Sequence, residues 1–75
     1  MNLEAKVRAR RDLPPPTLRR AIREAAGVSQ QDIATEIGDV SRAEVSRWES
    51  GTRRPRGRNL IEYVRVLGEL RAAVG

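Results

Sequence analysis

The chain has no cysteine and no histidine. Without thiols there is no disulfide staple and no thiolate metal site; without imidazole, zinc sites and histidine acid–base chemistry are excluded. No nucleophile–base pair stands out, so an enzyme is not expected, and neither a metal, a cofactor nor a small-molecule ligand is implied. No apolar run approaches the ~20 residues of a membrane span, and no signal peptide opens the chain, so the expectation is a cytoplasmic protein without membrane contact. Lysine is nearly missing as well. Lys6 is the only one among fifteen basic residues, which leaves fourteen arginines against ten acids and a net charge of +5. The arginine fork suits phosphate and guanine edges better than lysine does. A GC-rich genome is the bland source of such a bias, so position says more than number. Residues 52–58, TRRPRGR, hold four arginines and no acid.

Seventy-five residues are expected to make one small domain, without a ligand-sensing or self-cleaving second one. A core of this size supplies only a few kcal/mol unless packing is regular or the chain oligomerises. Residues 1–13 form a basic N-terminal segment. Within it, NLEAKVRARR is expected as a short helix capped by Asn2, with Leu3 and Val7 on one face. So little apolar surface leaves the helix marginal alone. Pro14, Pro15 and Pro16 break it, and residues 14–75 form the domain proper. Proline is tolerated in a first turn, so the next helix starts at Pro15 or Pro16. Leu18, Ile22 and Ala25 line its apolar side, and Gly27 ends it. At the other end, Asn59 is read as an N-cap with Glu62 at N3, opening a helix from about Leu60 to Ala73. Leu60, Tyr63, Val64, Leu67, Leu70 and Val74 make its stripe, with Ile61 and Val66 off it. Gly68 costs about 1 kcal/mol relative to alanine there and marks a kink or a close helix crossing.

Between these lies SQQDIATEIGDVSRAEVSRWESG, about residues 29–51. Ser29 with Asp32 reads as a capping box, and Ser41 with Glu44 repeats it. Ile33, Ala34 and Ile37 share one helical face, and Gly38 follows where a left-handed residue is expected. Val45 and Trp48 form the narrow apolar face of a second helix, which Gly51 closes. Its other sides carry Arg42, Glu44, Ser46, Arg47 and Ser50. Trp48 belongs to the core rather than to a stacked base, by its spacing from Val45. Tyr63 is core too, with its hydroxyl reaching the surface. A short polar, basic helix clamped by a preceding one is what reading a DNA major groove requires.

This stretch resembles the helix-turn-helix of the phage lambda repressor and Cro-like (Cro/C1-type) family. QQDIATEIG carries the likeness, as does VSRWESG followed by TRRPR, and it covers roughly residues 16–68. It implies an all-α fold, a small lambda-repressor-like domain of four to five helices. It also implies that Ala34 lets the two helices cross closely and that Gly38 makes the turn. Six residues separate Gly38 from Val45, one more than is usual in the family. The extra one is placed in the turn near Asp39, and Ser41 is taken as the N-cap of the recognition helix.

From this follow the site expectations. Arg42 and Arg47 are candidates for bidentate contacts to guanine, with Ala43 and Ser46 flanking them and Ala43 reaching a thymine methyl. Gln30 is expected on a phosphate, as its family position implies, with Gln31 and Ser41 beside it at free helix N–H groups. Arg53, Arg54, Arg56 and Arg58 are expected on phosphates, which position the protein without reading sequence. The resemblance further implies an ion pair between Arg23 and Glu49, partly buried, that anchors the recognition helix.

The function expected is sequence-specific binding of double-stranded DNA, as a Cro-like repressor of a phage or prophage acting by operator occupancy. An antitoxin using the same motif, or a protein-interaction module on the same scaffold, are the alternatives. A weak homodimer, or a monomer that pairs only on DNA, is expected, with Val66, Leu70, Ala73 and Val74 offering the dimer surface. The N-terminal segment is expected to dock or fray rather than to lie along DNA.

Overall fold

A computed structural model describes residues 2–75. The chain runs α1 (Leu3–Asp12), α2 (Pro16–Ala25), α3 (Gln30–Ile37), α4 (Arg42–Ser50) and α5 (Gly57–Val74), with no strand among the described residues. The longest helix, α5, packs against α1, α2 and α3, while α4 packs against α2 and α3. Ile22, Ile33, Ala34, Ile37, Val45, Trp48, Tyr63, Val66 and Leu67 form the shared core, with Leu13, Val28, Val40 and Leu70 against it.

Local chemistry explains most of the boundaries. The Asn2 side-chain oxygen accepts from the N–H of Glu4 (2.8 Å) and of Ala5 (3.3 Å), which starts α1 as expected. Pro16 occupies the first turn of α2, where its missing N–H costs nothing. Gly27 adopts a left-handed φ of +70° just past that helix.

Several expectations need correction. Leu3 and Val7 are solvent-exposed; Ala9 is the buried residue of α1 instead, and Leu13, just past its end, packs against the core. A methyl at position 9 lets α1 approach α5 more closely than a Leu3–Val7 stripe would. In α2, Ile22 is buried but Leu18 and Ala25 are exposed, and Arg19 turns inward in their place. On α5, Val66 lies in the core while Val74 is exposed, so the buried face is rotated from the expected stripe. The helix also begins at Gly57 rather than after Asn59. Gly57 takes a φ of +56°, a left-handed value that turns the chain from Pro55 into the helix, and Arg56 caps it without a side-chain hydrogen bond. Gly68 marks no close crossing: a methyl there would meet nothing within 4 Å.

Tyr63 is the last of them. Its ring packs on Trp48, centroids 4.8 Å apart and tilted by 44°. The hydroxyl does not reach the surface; it is buried and has no hydrogen-bond partner. Burial, with the nearby Glu49 carboxylate as a lesser cause, pushes its pKa far above the ordinary phenol value.

Candidate nucleic-acid interface

The segment that presents α4 is built from strong local signals. The Ser29 hydroxyl accepts from the Asp32 N–H (2.9 Å), and the Asp32 carboxylate accepts from the Ser29 N–H (2.8 Å), a complete capping box. Gly38, at φ +83°, leaves α3, and Asp39 follows at φ +57°. A left-handed aspartate is tolerated in turns, and this is where the extra residue of the turn was expected. Ser41 does cap α4, its hydroxyl accepting from the Glu44 N–H at 3.1 Å. The Glu44 side chain does not return the bond, so the second capping box is only half made.

Once started, α4 is held from behind. Val45, Trp48 and Glu49 are buried, which leaves Arg42, Ala43, Ser46, Arg47 and Ser50 exposed on the other side. Arg23 of α2 grips Glu49 through two bonds, Nε to Oε2 at 2.5 Å and Nη2 to Oε1 at 3.1 Å. The pair is more buried than expected, with side chains 13% and 4% exposed. The bond to Glu49 raises the pKa of Arg23 above its ordinary value, against the opposing effect of burial. Gln30 adds a third donor, Nε2 to Glu49 Oε1 at 3.1 Å. Its amide therefore lies on the ion pair, half-buried, while Gln31 is exposed and bonds Thr35.

Arg19 supplies a second grip that the sequence reading missed. Its Nε donates to the Pro14 carbonyl (2.6 Å) and its Nη1 to the Trp48 carbonyl (2.9 Å), which ties α2 to the last turn of α4. Burial is the main cause that lowers its pKa from the ordinary arginine value, and the charge of Arg54 adds to it. The signal was present: Arg19, Ile22 and Ala26 fall at i, i+3 and i+7, a helical face of their own.

Beyond α4, Gly51 takes a left-handed φ of +79°. The Arg47 carbonyl then accepts from the N–H of Thr52 (3.1 Å) and of Arg53 (3.3 Å), which folds the chain back sharply. Pro55 is buried, so the loop is pinned at one point while Arg53, Arg54 and Arg56 stay exposed. A depression of about 320 Å³ between loop and helix is lined by Arg47 together with these three arginines. Arg58 stands apart from them. Its Nη2 donates to the Ile37 carbonyl at 2.8 Å and so closes the C-terminus of α3. Ser41 is exposed at the start of α4, beside Arg42.

Ion pairing divides the arginines. Arg8 pairs with Glu4, Arg11 with Asp12, Arg20 with Glu24 and Arg23 with Glu49. Arg65 gathers Glu36, Glu62 and Glu69. Among the described residues, Arg10, Arg19, Arg42, Arg47, Arg53, Arg54, Arg56, Arg58 and Arg71 have no carboxylate within ion-pairing distance, and five of these lie on α4 and the loop after it. Cations left unneutralised on one surface give it a positive field.

No helix among the described residues is long and apolar enough to cross a membrane. No curated protein and no solved structure matches the chain significantly. The family model described as helix-turn-helix matches residues 20–72, more than two thirds of the chain, and spans α3, the turn and α4. The chain thus belongs to the Cro/C1-type helix-turn-helix family of DNA-binding transcription regulators.

Proposed function

We propose that this chain is a sequence-specific repressor of the Cro type, acting by occupancy. The observation that carries the reading is the set of exposed, unpaired arginines on α4 and on the loop that follows it. In this reading α4 enters the major groove. Arg42 and Arg47 make bidentate bonds to guanine O6 and N7, and Ala43 and Ser46 contact adjacent base edges. Ser41 and Gln31 lie at the helix N-termini that face the backbone, and Arg53, Arg54 and Arg56 bind phosphates to hold the register. Gln30 and Arg58, occupied by Glu49 and by the Ile37 carbonyl, act mainly by fixing the two helices of the motif. Bound in this way, the protein excludes polymerase or a competing regulator from overlapping DNA.

One domain of this kind makes few base contacts, so pairing on half-sites one helical turn (roughly 34 Å) apart fits the reading. Val66 cannot contribute to the pairing surface, because it is buried. An apolar groove of about 270 Å³ between α2 and α5 remains, lined by Leu18, Ala21, Ala25, Leu70 and Val74. A groove this small favours a weak dimer, or a monomer that pairs only when bound side by side. Sedimentation of the free protein showing a tight dimer would contradict this.

Selection from a randomised duplex pool tests the reading as a whole. Enrichment of one motif, lost with Arg42→Ala, is expected. Recovery of unenriched sequences would remove the sequence-specific part of the proposal.

A further inference from the structure

A second basic hollow lies on the far side of the 52–56 loop. It has a volume of about 660 Å³ and is lined by Lys6 and Arg10 of α1, by Arg19, and by Arg53, Arg54 and Arg56. None of these six cations has a carboxylate partner among the described residues. The acids and bases of α1 are sorted accordingly. Arg8 and Arg11 are neutralised by Glu4 and Asp12. Lys6 and Arg10, one turn apart, face the hollow unneutralised. Arg19 adds a buried guanidinium, 8% exposed, whose bonded partners are two carbonyls and no anion. A buried charge is ordinarily paired. So many cations around one hollow repel one another, and an anion seated there would relieve them.

The chemistry that fits is phosphate. The source that fits is DNA backbone, because the hollow and the depression beside α4 share the wall Arg53, Arg54, Pro55 and Arg56. A strand held at that loop passes from one to the other. We propose that α1, docked rather than trailing, is part of the DNA-binding surface: Lys6 and Arg10, with Arg19, Arg54 and Arg56, seat backbone phosphates beyond those that border α4. This rests on the DNA-binding reading above and lengthens its footprint. It also gives α1 a role that its small buried face, centred on Ala9, does not account for.

The test is a salt series on a random-sequence duplex two helical turns long, about 21 base pairs. Wild type is compared with Lys6→Gln/Arg10→Gln and with Arg8→Gln/Arg11→Gln. Both double variants remove two positive charges from α1, but only the first from the hollow. Helix content and Tm are recorded for each. Each phosphate contact contributes about 0.9 to the slope of log K against log salt, so the first variant is expected to lower the slope by about 1.8. The second is expected to leave it near the wild-type value. Should the double variant melt early, Arg10→Gln alone carries the test, with an expected drop of about 0.9. If wild type binds and both double variants keep its slope, or both lose slope alike, the seat is overturned while the DNA-binding reading stands. If wild type shows no salt-dependent binding to any duplex, both fall together.

Discussion

Arg23 and Glu49 meet through two parallel bonds, at 2.5 and 3.1 Å, across the interface between α2 and α4. The pair is buried and each member has a further partner: Arg23 also donates to the Val28 carbonyl at 3.0 Å, and Gln30 donates to Glu49 at 3.1 Å. Breaking such a pair leaves one charge buried and alone, which costs about 3–5 kcal/mol. Glu49→Ala is therefore expected to destabilise the fold by roughly 3 kcal/mol. Because Arg23 and Glu49 share the interaction, the Arg23→Ala/Glu49→Ala double variant should lose less than the sum of the singles, by roughly 1–3 kcal/mol. Denaturant melts of the four proteins measure this. Strict additivity would mean that the pair does not hold α4.

Tyr63 carries a cost within the same region. Its hydroxyl is buried without a partner, close to Arg19, Arg23 and Glu49 but bonded to none of them. An unsatisfied buried polar group costs about 1–3 kcal/mol. Tyr63→Phe keeps the ring against Trp48 and removes the orphan, so the expected change in stability is zero or a gain of about 1 kcal/mol. A loss of 2 kcal/mol or more would show that the hydroxyl has a partner after all.

Gly68 is exposed in the middle of α5, and a methyl there meets open space. Its backbone is helical, so alanine fits without strain. Gly68→Ala should stabilise by about 1 kcal/mol and raise Tm by roughly 4–8 °C. The same change at Gly51 should do the opposite. That residue has a φ of +79°, and its new methyl would stand 3.3 Å from Pro16. A thermal melt of each variant checks the contrast.

The capping box of α3 makes stability depend on acid. The Ser29 N–H, and after it the Ser29 hydroxyl, hold the Asp32 carboxyl below its usual value of 3.8. A carboxyl depressed by folding stabilises at any pH above its unfolded value, and that contribution is lost as pH falls through the lower folded value. Tm should thus decline below about pH 4. Asp32→Asn should lower Tm at pH 7 and make the acid decline shallower. Glu62, held down by its bond to Arg65, keeps part of the decline in both proteins. Equal acid slopes in the two proteins would remove Asp32 as a contributor.

The motif itself was legible because it is written in local chemistry. Ser29 and Asp32, Gly38, Ser41, Gly51 and the Val45–Trp48 spacing each act within a few residues, so reading them needs no knowledge of the rest of the fold. The bipartite link between Arg23 and Glu49 was legible only through family likeness, since nothing local joins residues twenty-six apart. What was misread depends on tertiary partners. Leu3 and Val7 are apolar and exposed, while Arg19 is charged and buried; its place was set by two carbonyls that only the folded chain brings together. Pro55 lies in a stretch read only for its arginines, and it proves to be the loop's buried anchor. Arg58 looked like its neighbours in TRRPRGR, but the helix that begins at Gly57 aims it at the end of α3.

The central claim is that α4 reads bases while the loop after it holds phosphates. Fluorescence anisotropy across a salt series tests this most directly, with DNA from upstream of the chain's own gene and a random duplex as competitor. Arg42→Ala should lose about 1–3 kcal/mol of preference for the specific DNA. Arg53→Ala should weaken binding to both duplexes alike and lower the salt slope by about 1. If Arg42→Ala keeps the wild-type preference, or if the two variants cannot be told apart, the division of labour between α4 and the loop is wrong.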